Sequence, residues 1–201
     1  MQIHLISTGQ QSPELFVNCV SSLSNQFDYI HIREKSWSAE VILDVINQLN
    51  RNGIPREKII VNDRVDVAIT EHLGGVQLTS HSIPIEKVKL NFPQLQMGCS
   101  VHEKEEAIQK EQAGADFLLY GHIFETSSKI GKAPKGVAAL ADLTASVKIP
   151  VIAIGGILPE NVPSVMAAGA SGIAILSGVL LAKDPLVNLM AYKNMMTIKE
   201  E

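Results

Sequence analysis

Short apolar runs recur along the chain at intervals of roughly 20 to 30 residues, and each stops at a glycine or a polar cluster. Residues 2–7, 28–33, 58–61, 76–78, 95–101, 117–120, 151–154 and 172–176 read as strands that are largely apolar on both faces. Between them the apolar positions return at helical spacing. Ser12-Pro13 opens a helix carrying Leu15, Phe16, Cys19, Val20 and Leu23, and Ser38 caps one carrying Val41, Ile42, Val45, Ile46 and Leu49. Val65, Val67, Ala68 and Ile69 mark a third helix, and Pro84 sits where a fourth can begin. Residues 103–113 close at Gly114, residues 137–147 follow, residues 161–168 close at Gly169, and an amphipathic tail helix starts near Pro185.

Strict strand–helix alternation with buried strands implies a parallel sheet covered by helices. Eight repeats predict an α/β fold of the TIM-type (β/α)8 barrel class, one compact domain over residues 1–201. An open doubly wound sheet is the competing architecture. Against it, no G-x-G-x-x-G turn follows the first strand, and polar groups follow nearly every strand rather than one switch point.

Composition narrows the function classes. A 201-residue chain that is 46% hydrophobic can bury a substantial core. A formal charge of −4 and a pI near 5.9 argue against a nucleic-acid surface. Aromatics at 4% leave little for single-strand stacking. No signal peptide or membrane-length apolar stretch is readable, and Cys19 and Cys99 have no metal-like spacing. A soluble cytoplasmic protein is expected, with no metal site formed by its histidines and cysteines, no nucleic-acid partner and no membrane partner. A symmetric homodimer is the default assembly.

In a barrel the C-terminal strand ends share one rim. Collecting their polar residues gives Arg33, Lys35, Asn62, Asp63, Gln77, Thr79, His81, Ser100, His122, Thr126, Ser128 and Lys129, then Gly155, Gly156, Ser177 and Gly178. The I-G-G-I at 154–157 and the L-S-G at 176–178 follow two late strands, where glycine lets backbone N–H groups approach an anion. Tight turning alone would also use these glycines. A phosphorylated small molecule is therefore expected, with Ser177 able to add a hydroxyl donor. His122 closes the central apolar run F-L-L-Y-G, where an imidazole can take and return a proton near neutral pH. A merely hydrogen-bonded rim histidine is the competing reading. His31 falls within a strand and His72 and His102 on helices, which suggests packing or surface roles, and Trp37 reads as a packing residue or a rim cover.

The runs I-H-I-R-E-K (30–35), V-N-D-R-V-D (61–66), G-V-Q-L (75–78), G-C-S-V-H (98–102) and G-H-I-F-E-T-S-S-K (121–129), with I-G-G-I and S-G, resemble the thiamin phosphate synthase superfamily. The resemblance covers nearly the whole chain and implies a β/α barrel. Two departures from the synthase pattern stand out. The usual G-P-I-F-P-T-x-T-K reads with His122 and Glu125 in place of both prolines. The loop after G-V-Q-L, Thr79-Ser80-His81-Ser82, lacks the aspartate that helps hold magnesium against a pyrophosphate. With Asp63 alone, a magnesium site is poorly furnished.

A histidine at that position is similar to the TenI branch, the thiazole tautomerases. Membership there implies an isomerase of thiamin biosynthesis that turns a small phosphorylated thiazole, the non-aromatic carboxythiazole phosphate, into its aromatic tautomer without a cofactor. His122 would then be the acid–base catalyst. Gly155, Gly156, Ser177 and Gly178 would hold phosphate, and Arg33 and Lys35 the carboxylate or phosphate. Asn62, Ser100, Thr126 and Lys129 would line the pocket. The alternatives are a magnesium-dependent thiamin phosphate synthase joining a pyrimidine pyrophosphate to thiazole phosphate, and a catalytically silent regulatory barrel.

Overall fold

The computed structural model describes residues 1–23, 25–129 and 131–197. Eight parallel strands close into a barrel in sequence order. They are β1 (Gln2–Ile6), β2 (Tyr29–Ile32), β3 (Ile59–Asn62), β4 (Gly75–Leu78), β5 (Met97–Val101), β6 (Phe117–Gly121), β7 (Val151–Ile154) and β8 (Gly172–Ile175). The ring is sealed where Leu5 of β1 pairs with Ile175 of β8. The (β/α)8 barrel expected from the alternation of apolar runs is thus the observed fold.

The outer helices are α1 (Pro13–Ser22), α2 (Ala39–Arg51), α3 (Val65–Thr70), α4 (Ile85–Asn91), α5 (Lys104–Gln112), α6 (Gly136–Thr144), α7 (Val162–Ala167), α8 (Ser177–Leu180) and α9 (Pro185–Thr197). The side-chain oxygens of Ser12 and Ser38 accept from the amides of Leu15 and Val41, each at 3.3 Å, as their sequence positions suggest. These caps satisfy N–H groups that have no partner within the first turn.

Some expectations need correction. Leu15 is not on the buried face of α1 but 61% exposed, because the helix packs through Phe16, Val17 and Val20. The tail helix α9 is not cleanly amphipathic: Leu189 and Tyr192 are buried, whereas Leu186, Val187 and Met190 are exposed. Residue 121 belongs to β6 rather than ending it early, and the short helix α8 starts directly at Ser177 after β8. His72 and His102 lie just outside α3 and α5, not on them. Trp37 is half-buried, edge-on to Phe16 with centroids 5.9 Å apart, which is a packing role.

The strands separate two cores. Between sheet and helices lies an aliphatic sheath that includes Leu5, Ile30, Ile46, Leu49, Val76 and Leu118. Inside the barrel, the strand register places inward side chains in layers of four drawn from alternate strands. From the rim inward, the layers are Ile6, Asn62, Ser100 and Ile154; then His31, Gln77, Leu119 and Ala174; then His4, Ile60, Gly98 and Ile152. Tyr29, Gly75, Phe117 and Gly172 form the layer nearest the base. Gly98 is required by this packing: a Cβ there would lie 2.2 Å from Phe117 Cζ and 2.3 Å from Gln77 Oε1. No helix among the described residues is long and apolar enough to cross a membrane.

Candidate functional site

The upper lumen is a polar floor. Asn62 ends β3 beside Gln77 of β4, its register partner. The Gln77 side-chain amide donates to Ser100 Oγ at 3.0 Å, binding β4 to β5. Asn62 Oδ1, Gln77 Oε1 and His31 Nδ1 are buried without a hydrogen-bond partner among the described residues. Buried polar atoms are nearly always paired, because each one left bare costs about 1–3 kcal/mol. All three belong to inward-facing residues in the two uppermost layers of one lumen. Asn62 and Ser100 are thereby brought together as expected. His31, read from its strand position as a packing or surface group, proves to be an inward residue two layers above the base.

Around this floor the rim has two unlike sides. Arg33 and Lys35 stand exposed after β2, where the Arg33 amide donates to Ser7 Oγ at 2.8 Å. Asp63, exposed after β3, accepts from Thr79 Oγ1 at 3.3 Å and from Ser82 Oγ. The Ser82 hydroxyl in turn accepts from the Thr79 amide at 2.6 Å, so the exits of β3 and β4 form one hydroxyl–carboxylate cluster. His81 is exposed beside it.

Across the barrel, the chain leaving β6 is laid onto the chain leaving β7. The amides of Ile123 and Phe124 donate to the carbonyls of Ile154 and Gly155, both at 3.0 Å. Gly155 and Gly156 have φ of +96° and +66°. A Cβ on Gly155 would meet His122 Cβ at 2.3 Å, and one on Gly156 would meet the Glu125 carbonyl at 2.2 Å. Both conformation and contact demand glycine here. The I-G-G-I motif therefore serves loop packing first, and whatever its free amides bind comes in addition.

His122 is buried in this packing, and its ring Nε2 donates to the Lys132 carbonyl at 3.2 Å. The Lys135 amide returns to the His122 carbonyl at 2.9 Å, so the imidazole fastens the β6 loop to the segment before α6. Thr126 and Lys129 are not in the lumen. Thr126 folds into a local turn, its Oγ1 accepting from Ser128, and Lys129 is exposed. Ser177 is exposed and Gly178 half-buried at the start of α8. Here the tail helix intervenes: Tyr192 donates its hydroxyl to the Ile157 carbonyl at 2.9 Å, and the Tyr192 hydroxyl oxygen would lie 2.7 Å from a Cβ on Gly178. Tyr192 thus ties the β7 and β8 turns together. No signal in the sequence singled it out beyond its place in an apolar helix.

Among the described residues, no three His, Cys, Asp or Glu side chains gather as metal ligands. Magnesium needs less, since one or two carboxylates with waters and substrate phosphate oxygens suffice. Asp63, exposed and flanked by two hydroxyls, meets that lower limit.

The family model described as thiamine monophosphate synthase matches residues 3–179. The chain is 43% identical over 185 residues to the thiamine-phosphate synthase of Pyrococcus horikoshii, covering 92% of this chain and 89% of that one. It is 34% identical over 185 residues to the protein of the same name from Pyrococcus abyssi, with coverage of 92% and 89%. Among solved structures, a thiamine phosphate pyrophosphorylase from Pyrococcus furiosus superposes with a TM-score of 0.83 at 32% identity, covering 96% of this chain and 94% of that one. These names overturn the expectation of a thiazole tautomerase with His122 as its acid–base catalyst. These relatives carry the name of a synthase, not of an isomerase. The absence of a second carboxylate does not weigh against magnesium as heavily as the sequence suggests, because the ion can take its remaining ligands from substrate and water.

Proposed function

Because the chain belongs to the thiamine monophosphate synthase family, we propose that it is a thiamine-phosphate synthase, an enzyme of thiamine biosynthesis that joins a pyrimidine pyrophosphate to a thiazole phosphate. The observation that carries this reading is the likeness, along nearly the whole chain, to proteins bearing that name. In the reaction, the bond from the pyrimidine's side-chain carbon to the pyrophosphate oxygen breaks and that carbon becomes bonded to the thiazole. Pyrophosphate leaves as the anion.

The site is suited to such a displacement. The floor of Asn62, Gln77 and Ser100, with His31 beside it, offers buried polar atoms to orient a ring, and held geometry lowers the barrier to joining two substrates. The glycine turns at Gly155 and Gly156, with Ser177 and Gly178, would present backbone N–H groups to the thiazole phosphate. Arg33, Lys35 and Lys129, exposed at the rim, would supply positive charge and N–H donors for the pyrophosphate. Magnesium held by Asp63 and by the pyrophosphate oxygens would stabilise charge on the leaving group. Thr79 and Ser82 hold the Asp63 carboxylate in place. His122 keeps the β6 loop seated against Gly155.

The test is formation of thiamin phosphate from the two substrates, followed by fluorescence after oxidation to thiochrome. Expected is magnesium-dependent formation that EDTA abolishes and that Asp63→Asn lowers about 100-fold, with the fold unchanged by circular dichroism. Folded native protein that makes no thiamin phosphate at saturating substrates and magnesium would overturn the reading.

A further inference from the structure

Two imidazoles from adjacent layers meet inside the barrel. His4 Nδ1 and His31 Nε2 are 2.9 Å apart, and both residues are buried. The other His4 nitrogen, Nε2, lies 3.4 Å from Gln2 Oε1 at the base. The other His31 nitrogen, Nδ1, is buried with no hydrogen-bond partner among the described residues. Burial takes the His4 pKa down to about 3 and lowers His31 well below the usual imidazole range, with His4 adding to the second effect. Both rings are therefore neutral at physiological pH, each with a single ring proton.

The direction of the chain of bonds follows. An amide oxygen only accepts, so the His4 proton sits on Nε2 and points at Gln2. His4 Nδ1 is then a lone pair, and its contact with His31 is a bond that His31 must donate from Nε2. His31 Nδ1 is left as a bare acceptor, in the same layer as Gln77 with its own unpartnered Oε1.

We propose that His4 is a positioning residue: it fixes the His31 tautomer so that His31 Nδ1 accepts a hydrogen bond from an N–H group of the heterocycle bound deepest in the barrel. The identity of that heterocycle, an amino-substituted pyrimidine, rests on the synthase reading; the tautomer itself does not. Replacing His4 by a ring that cannot accept would leave the His31 Nε2–H buried and bare, and the tautomer with the proton on Nδ1 would become competitive. The site would then offer a donor where it now offers an acceptor, and donor facing donor is strongly disfavoured.

The experiment is nitrogen NMR on full-length protein labelled with 15N-histidine, read through the long-range ring couplings. The His31 signals are assigned by their loss in His31→Asn. At neutral pH, native His31 is expected to be protonated on Nε2 and bare on Nδ1, and the free aminopyrimidine alcohol should shift the Nδ1 resonance. His4→Phe should populate the other tautomer and weaken binding of that alcohol about 10-fold. His4→Asn, whose side-chain oxygen stands where Nδ1 does, should restore both. A native His31 proton on Nδ1, or a folded His4→Phe that keeps native tautomer and affinity, would overturn the proposal. Should His4→Phe not fold, the native spectrum and His4→Asn decide it. An absence of thiamin phosphate synthesis with the expected tautomer and binding would count against the synthase reading alone.

Discussion

The sheath outside the barrel and the lumen inside it are built from the same eight strands but on opposite principles. The sheath is aliphatic and closed: Leu49, Ile46, Val76 and their neighbours have no polar atom to satisfy. The lumen keeps a smaller apolar cluster, Ile6, Ile60, Phe117, Leu119, Ile152 and Ala174 with Tyr29 and Ile154 packed against it, and gives its other inward positions to histidine, glutamine, asparagine, serine and glycine. Stability is thus concentrated where no ligand reaches. The lumen is free to hold unpaired polar atoms that a core organised for stability alone would not tolerate.

Three measurements would break or sharpen that division. The largest effect is expected in the sheath. Leu49→Ala, at a fully buried position on α2, should lower unfolding stability by about 2–5 kcal/mol through lost burial and a residual cavity. Thermal unfolding would register the loss, while kcat/KM of the folded fraction stays near native. A large fall in kcat/KM would mean that the sheath is not independent of the site.

Next comes the lumen's dependence on pH. His4 has a folded pKa of about 3 against an ordinary 6.5, so the unfolded chain binds a proton that the fold refuses. Stability is fully present above 6.5 and is lost as pH falls toward 3, by about 1.4 kcal/mol per unit from this residue. Between neutral pH and 4.5 the His4 share is then about 2–3 kcal/mol, and His31 acts in the same direction. Urea midpoints across this range would show the slope, and His4→Phe should flatten it. An equal slope in the variant would place the acid sensitivity elsewhere.

The smallest effect on stability, and the sharpest contrast, is expected for Gln77→Leu. Gln77→Leu loses the bond to Ser100 but also removes an unpartnered buried carbonyl, and these oppose each other, so stability should change by no more than about 1 kcal/mol in either direction. Thiamin phosphate synthesis should nevertheless fall at least about 10-fold, mainly through KM, as an orienting group is lost. A stable variant with native kinetics would show that Gln77 is packing only.

The sheath was legible in the sequence because its signal is local. Runs such as F-L-L-Y-G and V-I-A-I are apolar on both faces, and only a covered parallel sheet explains eight of them in alternation with helices. The lumen was legible only in part. Asn62, Gln77 and Ser100 stand at strand ends and could be collected from the order of the chain. His4 and His31 could not, because an inward histidine inside an apolar strand looks like any buried ring. Which layer it joins depends on the register between strands distant in sequence. Leu15 and the tail helix depart from expectation for the opposite reason, since helical spacing marks apolar positions without saying that each one is covered. The division between synthase and tautomerase turned on one carboxylate and two prolines, too little to outweigh likeness over the full chain.

The tie that Tyr192 makes from α9 to the Ile157 carbonyl bears on how the protein is born. As a ribosome extends the chain, β1 emerges first, yet its second neighbour is β8, so one edge of the nascent sheet stays open until residue 175 is out. The turns after β7 and β8 gain their brace only when Tyr192 follows. Until then, apolar strand faces and an unpaired edge are exposed, which is the state that chaperones protect from aggregation. The rim formed by the β7 and β8 turns is therefore among the last parts of the protein to mature during synthesis, however early its strands are made.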